Sequence, residues 1–262
     1  MIRATCSLNR TSKNQGKNMV HITCLVKSDK YSKICLGCLD ESKRWIRPTK
    51  PGGFTEADIM MDNGDIIDIF DVVDMKFSGP CPIKHHKENM KFTLGTQIKF
   101  VMNLSLTEQR NLLKGIADTG LLKKVKSNDE LYDEIINSDR SLVLVGPIAS
   151  FDITYGKHPR LWIIGKNNKE FGITCTDLKF CAFIKSKSAD FKNDIRGYLS
   201  SQDIIELKGK QIYFVIGLTG DYLDENNEIK DGKYAPAGAS YEPRYWPLVV
   251  SVLTIPSYSN ED

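Results

Sequence analysis

The sequence predicts a mainly β (α+β) protein, two small β-barrels joined by a short helical segment. Three observations carry this. Short apolar, β-branched runs fall into two clusters, over residues 19–104 and 140–255, with turn residues between them. The hydrophobic spacing turns helical only between the clusters, over 105–139. A chain of 262 residues also has room for two small domains, and many short strands fit two barrels better than one sandwich. Residues 1–18 read as a flexible basic leader and 256–262 as a tail.

Taken in order, residues 20–27 alternate in the manner of a first strand and 33–39 make the second. Residues 44–47 make a short third strand, which Pro48 is expected to stop. Residues 49–55 are a Pro-Gly-Gly loop, and 64–77 a long strand or two strands with a bend. In that stretch Asp65, Asp68, Asp71 and Asp74 recur every third residue. Alternation would place Asp65 and Asp71 on one face and Asp68 and Asp74 on the other, so a solvated edge is expected rather than a metal site. Residues 79–89 form a loop that gathers His85, His86, Glu88 and Asn89.

Ser105 and Glu108 are spaced as a capping box at the head of a helix over 105–116. A second helix is expected over 128–137, with Leu131, Ile135 and Ile136 on one face. The second cluster has strands at 141–148, 150–155, 160–165, 170–174, 211–218 and 246–255. Residues 177–200 read as partly helical, and 221–243 as a long mobile loop.

Composition sets the outer limits. The net charge of +3 (36 basic against 33 acidic residues) does not by itself mark a nucleic-acid binder. The charge is segregated, however: residues 1–33 hold seven bases and one acid, and residues 56–74 seven acids and no base. No apolar run approaches the roughly 18–20 residues of a membrane helix, so a cytoplasmic protein with no membrane contact is expected. Seven cysteines do not suit a disulfide framework. Cys35 and Cys38 form a C-x-x-C, but their odd separation puts the two thiols on opposite strand faces, and no metal is expected there.

The chemistry-bearing stretch is residues 28–48, where Trp45 and Arg47 share a strand face and Lys30 and Lys33 lie across the preceding turn. Such a face suits stacking on a base and holding a phosphate. Ser28, Lys30, Lys33, Trp45, Arg47, His85, His86, Glu88 and Asn89 are the candidate ligand- or nucleic-acid-binding residues, convergent at one end of a closed barrel. The alternative chemistry is a nucleotide or small-ligand pocket in which Lys and Arg hold phosphate, Glu accepts a proton and Asn reads an edge. No phosphate loop, nucleophile elbow or metal motif names a reaction, and no cofactor is expected.

Several stretches stand out together: Ser28-x-Lys30, Lys-Ile-Cys-Leu-Gly-Cys-Leu from Lys33, Trp-Ile-Arg-Pro at 45–48 and Glu88-Asn89. In the second half they are Thr176-Asp177, the run from Phe214 to Thr219, and Leu-Val-Val-Ser-Val-Leu from Leu248. With these stretches the chain resembles a known family of bacterial proteins, the dual OB-containing domain. Two positions depart from the family pattern, His86-Lys87 before Glu-Asn and Gly217 in place of a Ser. The resemblance implies two OB-like barrels; since such barrels bind single strands with a basic groove and exposed aromatics, Trp45, Arg47, Lys30 and Lys33 make a single-stranded DNA- or RNA-binding module within a larger bacterial system the expected function. A nucleotide ligand or a protein-interaction adaptor are the alternatives.

Overall fold

A computed structural model describes residues 19–30, 32–83, 85–154, 158–187, 198–218 and 246–258. The expected leader at 1–18, the loop at 221–243 and the end of the tail lie outside the described residues. In the first unit, β1 (Met19–Lys30), β2 (Lys33–Asp40), β3 (Trp45–Thr49), β5 (Asn89–Phe92) and β4 (Asp71–Pro80) follow one another around a barrel. It closes where β4 pairs back onto β1. Every pairing in the ring is antiparallel except β3 with β5. A further strand, β6 (Lys99–Asn103), extends past the barrel along β4.

Strand alternation fills the interior. Ile34, Leu36 and Cys38 of β2 point inward with Ile46, Phe77 and Phe92. Cys38 faces Cys24 across the β1–β2 ladder, and that neighbouring thiol together with burial pushes the Cys38 pKa well up. Cys35 sits half-buried on the other face, so the two cysteines do point apart.

Two expectations about this barrel fail. Pro48 does not end β3 but lies inside it, paired with Met90 of β5. The β2 ladder has already stopped at Ile46, so the missing N–H of Pro48 points where no partner strand waits. The strand expected from 64 begins only at Asp71. Ahead of it the Asp71 carboxylate accepts from the Asp68 N–H at 2.7 Å and folds that stretch into a turn, so the expected split of the acids between two faces does not apply.

The connector carries α1 (Leu106–Ile116), a single turn α2 (Leu121–Lys124) and α3 (Asn128–Asn137). Ser105 and Glu108 form the expected capping box, with the Ser105 N–H donating to the Glu108 carboxylate at 2.8 Å. Leu131 and Ile135 bury the inner face of α3.

The second unit is a seven-stranded sheet built from β7 (Leu142–Ile148), β8 (Asp152–Thr154), β9 (Arg160–Ile164), β10 (Glu170–Cys175), β11 (Tyr198–Ser200), β12 (Gln211–Leu218) and β13 (Pro247–Ile255). Its order is β11-β8-β9-β10-β13-β12-β7, and β10 with β13 is again the parallel pair. Helix α4 (Leu178–Lys187) follows β10 and buries Phe180 and Ile184 in this core. Tyr258, in the expected tail, is buried there too, edge-on to Phe180 at 5.7 Å.

The two units share a third apolar cluster. Leu25, Val26 and Leu39 on the outside of the first barrel meet Leu142, Leu144, Tyr213, Val215 and Leu253 of the second sheet. Gly37 is required at this junction, because a Cβ there would stand 2.9 Å from Val26 Cγ2 and 3.3 Å from Leu142 Cδ1.

Candidate functional site

The outer face of the β2–β3–β5 sheet is read by alternation. Lys33, Cys35, Gly37 and Leu39 of β2 lie beside Trp45, Arg47 and Thr49 of β3, which lie beside Asn89 and Lys91 of β5. Trp45 and Arg47 therefore share a face, but they have different surroundings. Trp45 is half-buried and packs against the junction between the units, next to Leu39. Arg47 stands at the border of that junction. Beyond it Lys33 and Lys91 are exposed, with Cys35, Thr49 and Cys81 half-buried and the Thr49 Oγ1 lying 3.0 Å from the Cys81 Sγ.

Arg47 is the centre of a polar knot. Its Nε lies 3.4 Å from Glu88 Oε1, and its Nη2 donates to Ser141 Oγ at 3.0 Å. Ser141 Oγ also lies 3.1 Å from His86 Nδ1 and donates to the Glu88 carboxylate. A hydroxyl has one hydrogen and two lone pairs. With its hydrogen on Glu88 and one lone pair on Arg47, the other lone pair accepts from His86, which assigns that ring's proton to Nδ1. Ser141 is thereby saturated, and at 0% exposure it is out of reach of any substrate. The knot fastens His86 and Glu88, just ahead of β5, to the start of β7, and the Lys87–Asp139 ion pair at 2.5 Å adds a second tie. Burial pushes the Arg47 pKa down while Glu88 and Cys35 pull it back up.

Four of the expected residues are thus brought together. Arg47, His86 and Glu88 share the knot, and Asn89 is Arg47's register neighbour, 4% exposed, with an Oδ1 that has no partner among the described residues. His85 is half-buried in the same loop. Lys33 lies on the open part of the face, opposite the backbone of Lys30, whose side chain is outside the described part. Ser28 is elsewhere. It is 3% exposed at the end of β1, bridged by its backbone to Asp177 where the two units meet.

A closed ring ordered β1-β2-β3-β5-β4 with one parallel pair, β3 with β5, is the Greek-key arrangement of the OB-fold. Residues 20–200 match the model of the dual OB-containing domain family. The chain belongs to that family. No curated protein matches it. In OB-folds the β2–β3 face, flanked by the β1–β2 and β4–β5 loops, is the usual ligand surface. In this dual OB chain the second unit covers the Gly37–Leu39–Trp45 end of that face, and the Ser141 knot holds the β4–β5 loop.

Ser141 is not among the residues expected from sequence, and nothing local marks it beyond a serine before an apolar strand. Asp177 stands out there only by resemblance. Its carboxylate accepts from Phe180 N at 2.7 Å, capping α4, and from Val252 N at 2.8 Å, tying that helix to β13. Burial pushes its pKa up to about 6 despite those bonds.

Proposed function

We propose that this dual OB module binds single-stranded nucleic acid along the open half of the first barrel's β2–β3–β5 face. The observation that carries the reading is the pair of exposed lysines, Lys33 on β2 and Lys91 on β5, on either side of the polar Thr49 and Cys35. The two ammonium groups suit successive phosphates, and the fixed polar knot forms one wall of the track. In this reading Arg47, His86 and Glu88 set the shape of the site while Lys33 and Lys91 touch the ligand. Trp45 belongs to the scaffold, because the second unit covers it.

The second sheet is read as a second OB barrel. β7 and β8 are successive in the chain yet pair at opposite ends of the sheet, β7 with β12 and β8 with β9. Taken as two arms of one bent strand, they close the sheet in the first barrel's order, with β10 and β13 in the roles of β3 and β5. Helix α4 then occupies the place between third and fourth strands.

Fluorescence-anisotropy titrations with labelled oligo-dT and oligo-U across a salt series test the reading. Saturable binding that weakens linearly in log Kd against log salt is expected. Absence of binding at low salt, or binding that salt does not weaken, overturns it.

A further inference from the structure

The junction uses the two units differently. The first barrel gives up part of its β2–β3–β5 face, whereas the second unit docks through β7, β12 and β13, which supply Leu142, Leu144, Tyr213, Val215 and Leu253. Among the described residues, the outer face of β8, β9 and β10 contributes nothing to that cluster. Alternation gives this face Arg160, Trp162 and Ile164 of β9, with Leu161 and Ile163 turned into the core. By register, Asp152 of β8 and Gly172 of β10 flank Trp162 on its two sides.

The face holds an indole in a fixed position. Trp162 Nε1 donates to Thr154 Oγ1 at 2.8 Å, which satisfies its one polar atom within the protein and leaves the ring half-buried. Arg160 Cζ lies 5.2 Å from the ring centroid, and Arg160 Nη2 donates to the Gly172 carbonyl at 3.0 Å. Glycine is required at 172, because a Cβ there would collide with Arg160 Nε and stand 3.0 Å from its Cγ and Cδ. The arginine can therefore lie down across β10. Asn128 Nδ2 donates to the same carbonyl at 2.9 Å and closes that side of the face. Ile164, 60% exposed, continues the apolar surface toward the β9–β10 turn.

That turn is basic. The Lys166 N–H donates to the Val125 carbonyl at 2.7 Å, so Lys166 and Lys169 of the turn stand beside Lys123, Lys124 and Lys126. Asp129, Glu130 and Glu170 oppose them, with Glu130 held by Lys126 at 3.2 Å and acted on by Lys166 as well. Five lysines against three acids leave two positive charges at this end, while on the sheet itself Arg160 and Asp152 balance.

We propose that the outer β8–β9–β10 face is a second contact for single-stranded nucleic acid, with a base stacked on Trp162 and the phosphates beyond it drawn to the lysines of the β9–β10 turn. A fixed aromatic ring beside a cationic rim is the combination that holds a single strand without reading its sequence. The open half of the first barrel offers Lys33, Cys35, Thr49 and Lys91 at its strand positions and no aromatic ring among them. The two surfaces thus divide the task, charge on the first and stacking on the second. The inference rests on the reading that this chain binds single strands, but it uses other residues on the other unit.

The test has two arms, both on the full chain. Oligo-U carrying 5-iodouracil is photo-crosslinked and the tryptic peptides are identified by mass, with a crosslink expected at Trp162 in the peptide 161–166. Anisotropy titrations then compare oligo-dT with a base-free deoxyribose-phosphate strand of equal length. The wild type should prefer the strand with bases by about tenfold, and Trp162→Leu should lose that preference. The Lys33→Ala, Lys91→Ala double variant should keep it. The crosslink needs no variant, so the proposal stands or falls even if Trp162→Leu does not fold. Binding of oligo-U with no crosslink in 161–166, equal binding of the base-free strand, or a folded Trp162→Leu that keeps the preference overturns this proposal and leaves the first face in place. No binding of any strand overturns both. A crosslink and a base preference that persist while the double lysine variant keeps the wild-type salt slope support this contact and remove the first face.

Discussion

The two halves of the first barrel's outer face are built on the same strands with the same alternation, and they serve opposite ends. On one half Gly37, Leu39 and Trp45 are covered by Leu142, Tyr213 and their neighbours. On the other Lys33, Thr49 and Lys91 meet solvent. The switch happens within two residues along β3, between Trp45 and Arg47. An OB barrel can thus give part of its usual ligand face to a second unit and keep the remainder free. The boundary needs a polar device that tolerates both environments, and the Arg47–Glu88–His86–Ser141 knot is that device.

The largest expected effect is on the covered half. Leu39→Ala removes a fully buried side chain from the junction and should cost roughly 3–4 kcal/mol in chemical denaturation. It should leave oligonucleotide affinity per folded molecule unchanged. Next is the knot. Glu88→Ala leaves Arg47 without its carboxylate in a partly buried site and should cost on the order of 2–3 kcal/mol. Glu88→Gln, which keeps an acceptor for Ser141, should cost less. A loss no larger than an exposed substitution gives would remove the knot from its place at the boundary.

The pH response concerns the junction as well. Asp177 has its folded pKa raised to about 6 from an ordinary value of 3.8, so between those values the folded state binds the extra proton. Stability should therefore fall as pH rises from about 4 to about 6, by on the order of 2 kcal/mol, and Asp177→Asn should flatten that part of the profile. A profile that rises over this range, or an unchanged profile in the variant, would show that the carboxyl is not desolvated at the junction.

Much of the first barrel is legible in the sequence because alternation is a local property. The pairing of Trp45 with Arg47 on one face, the opposed thiols of Cys35 and Cys38 and the Ser105–Glu108 capping box all follow from spacings of two or three residues. What spacing does not reveal is which part of a face is covered. Trp45 and Lys33 look equally exposed until the second sheet is in place. Ser141 is 94 residues from Arg47 along the chain, and only the packing of β7 against the barrel brings it there. The start of β4 is hidden from spacing for a related reason. The side chain of Asp71 turns back to bond the Asp68 N–H, a local competitor that outweighs a β-branched run.

The open half carries the smallest stability effects and the decisive functional one. Lys33→Ala and Lys91→Ala together should change stability by less than about 0.5 kcal/mol, as for other exposed positions. The central claim is that single strands run across this half, and it is tested most directly by the salt dependence of oligo-dT binding for that double variant. The slope of log Kd against log salt should fall by roughly 1.4, about 0.7 for each phosphate of a single strand that is no longer neutralised. The conservative Trp45→Phe variant should keep the wild-type slope and affinity. A double variant with the wild-type slope, or a Trp45→Phe variant that loses binding while remaining folded, would contradict the account.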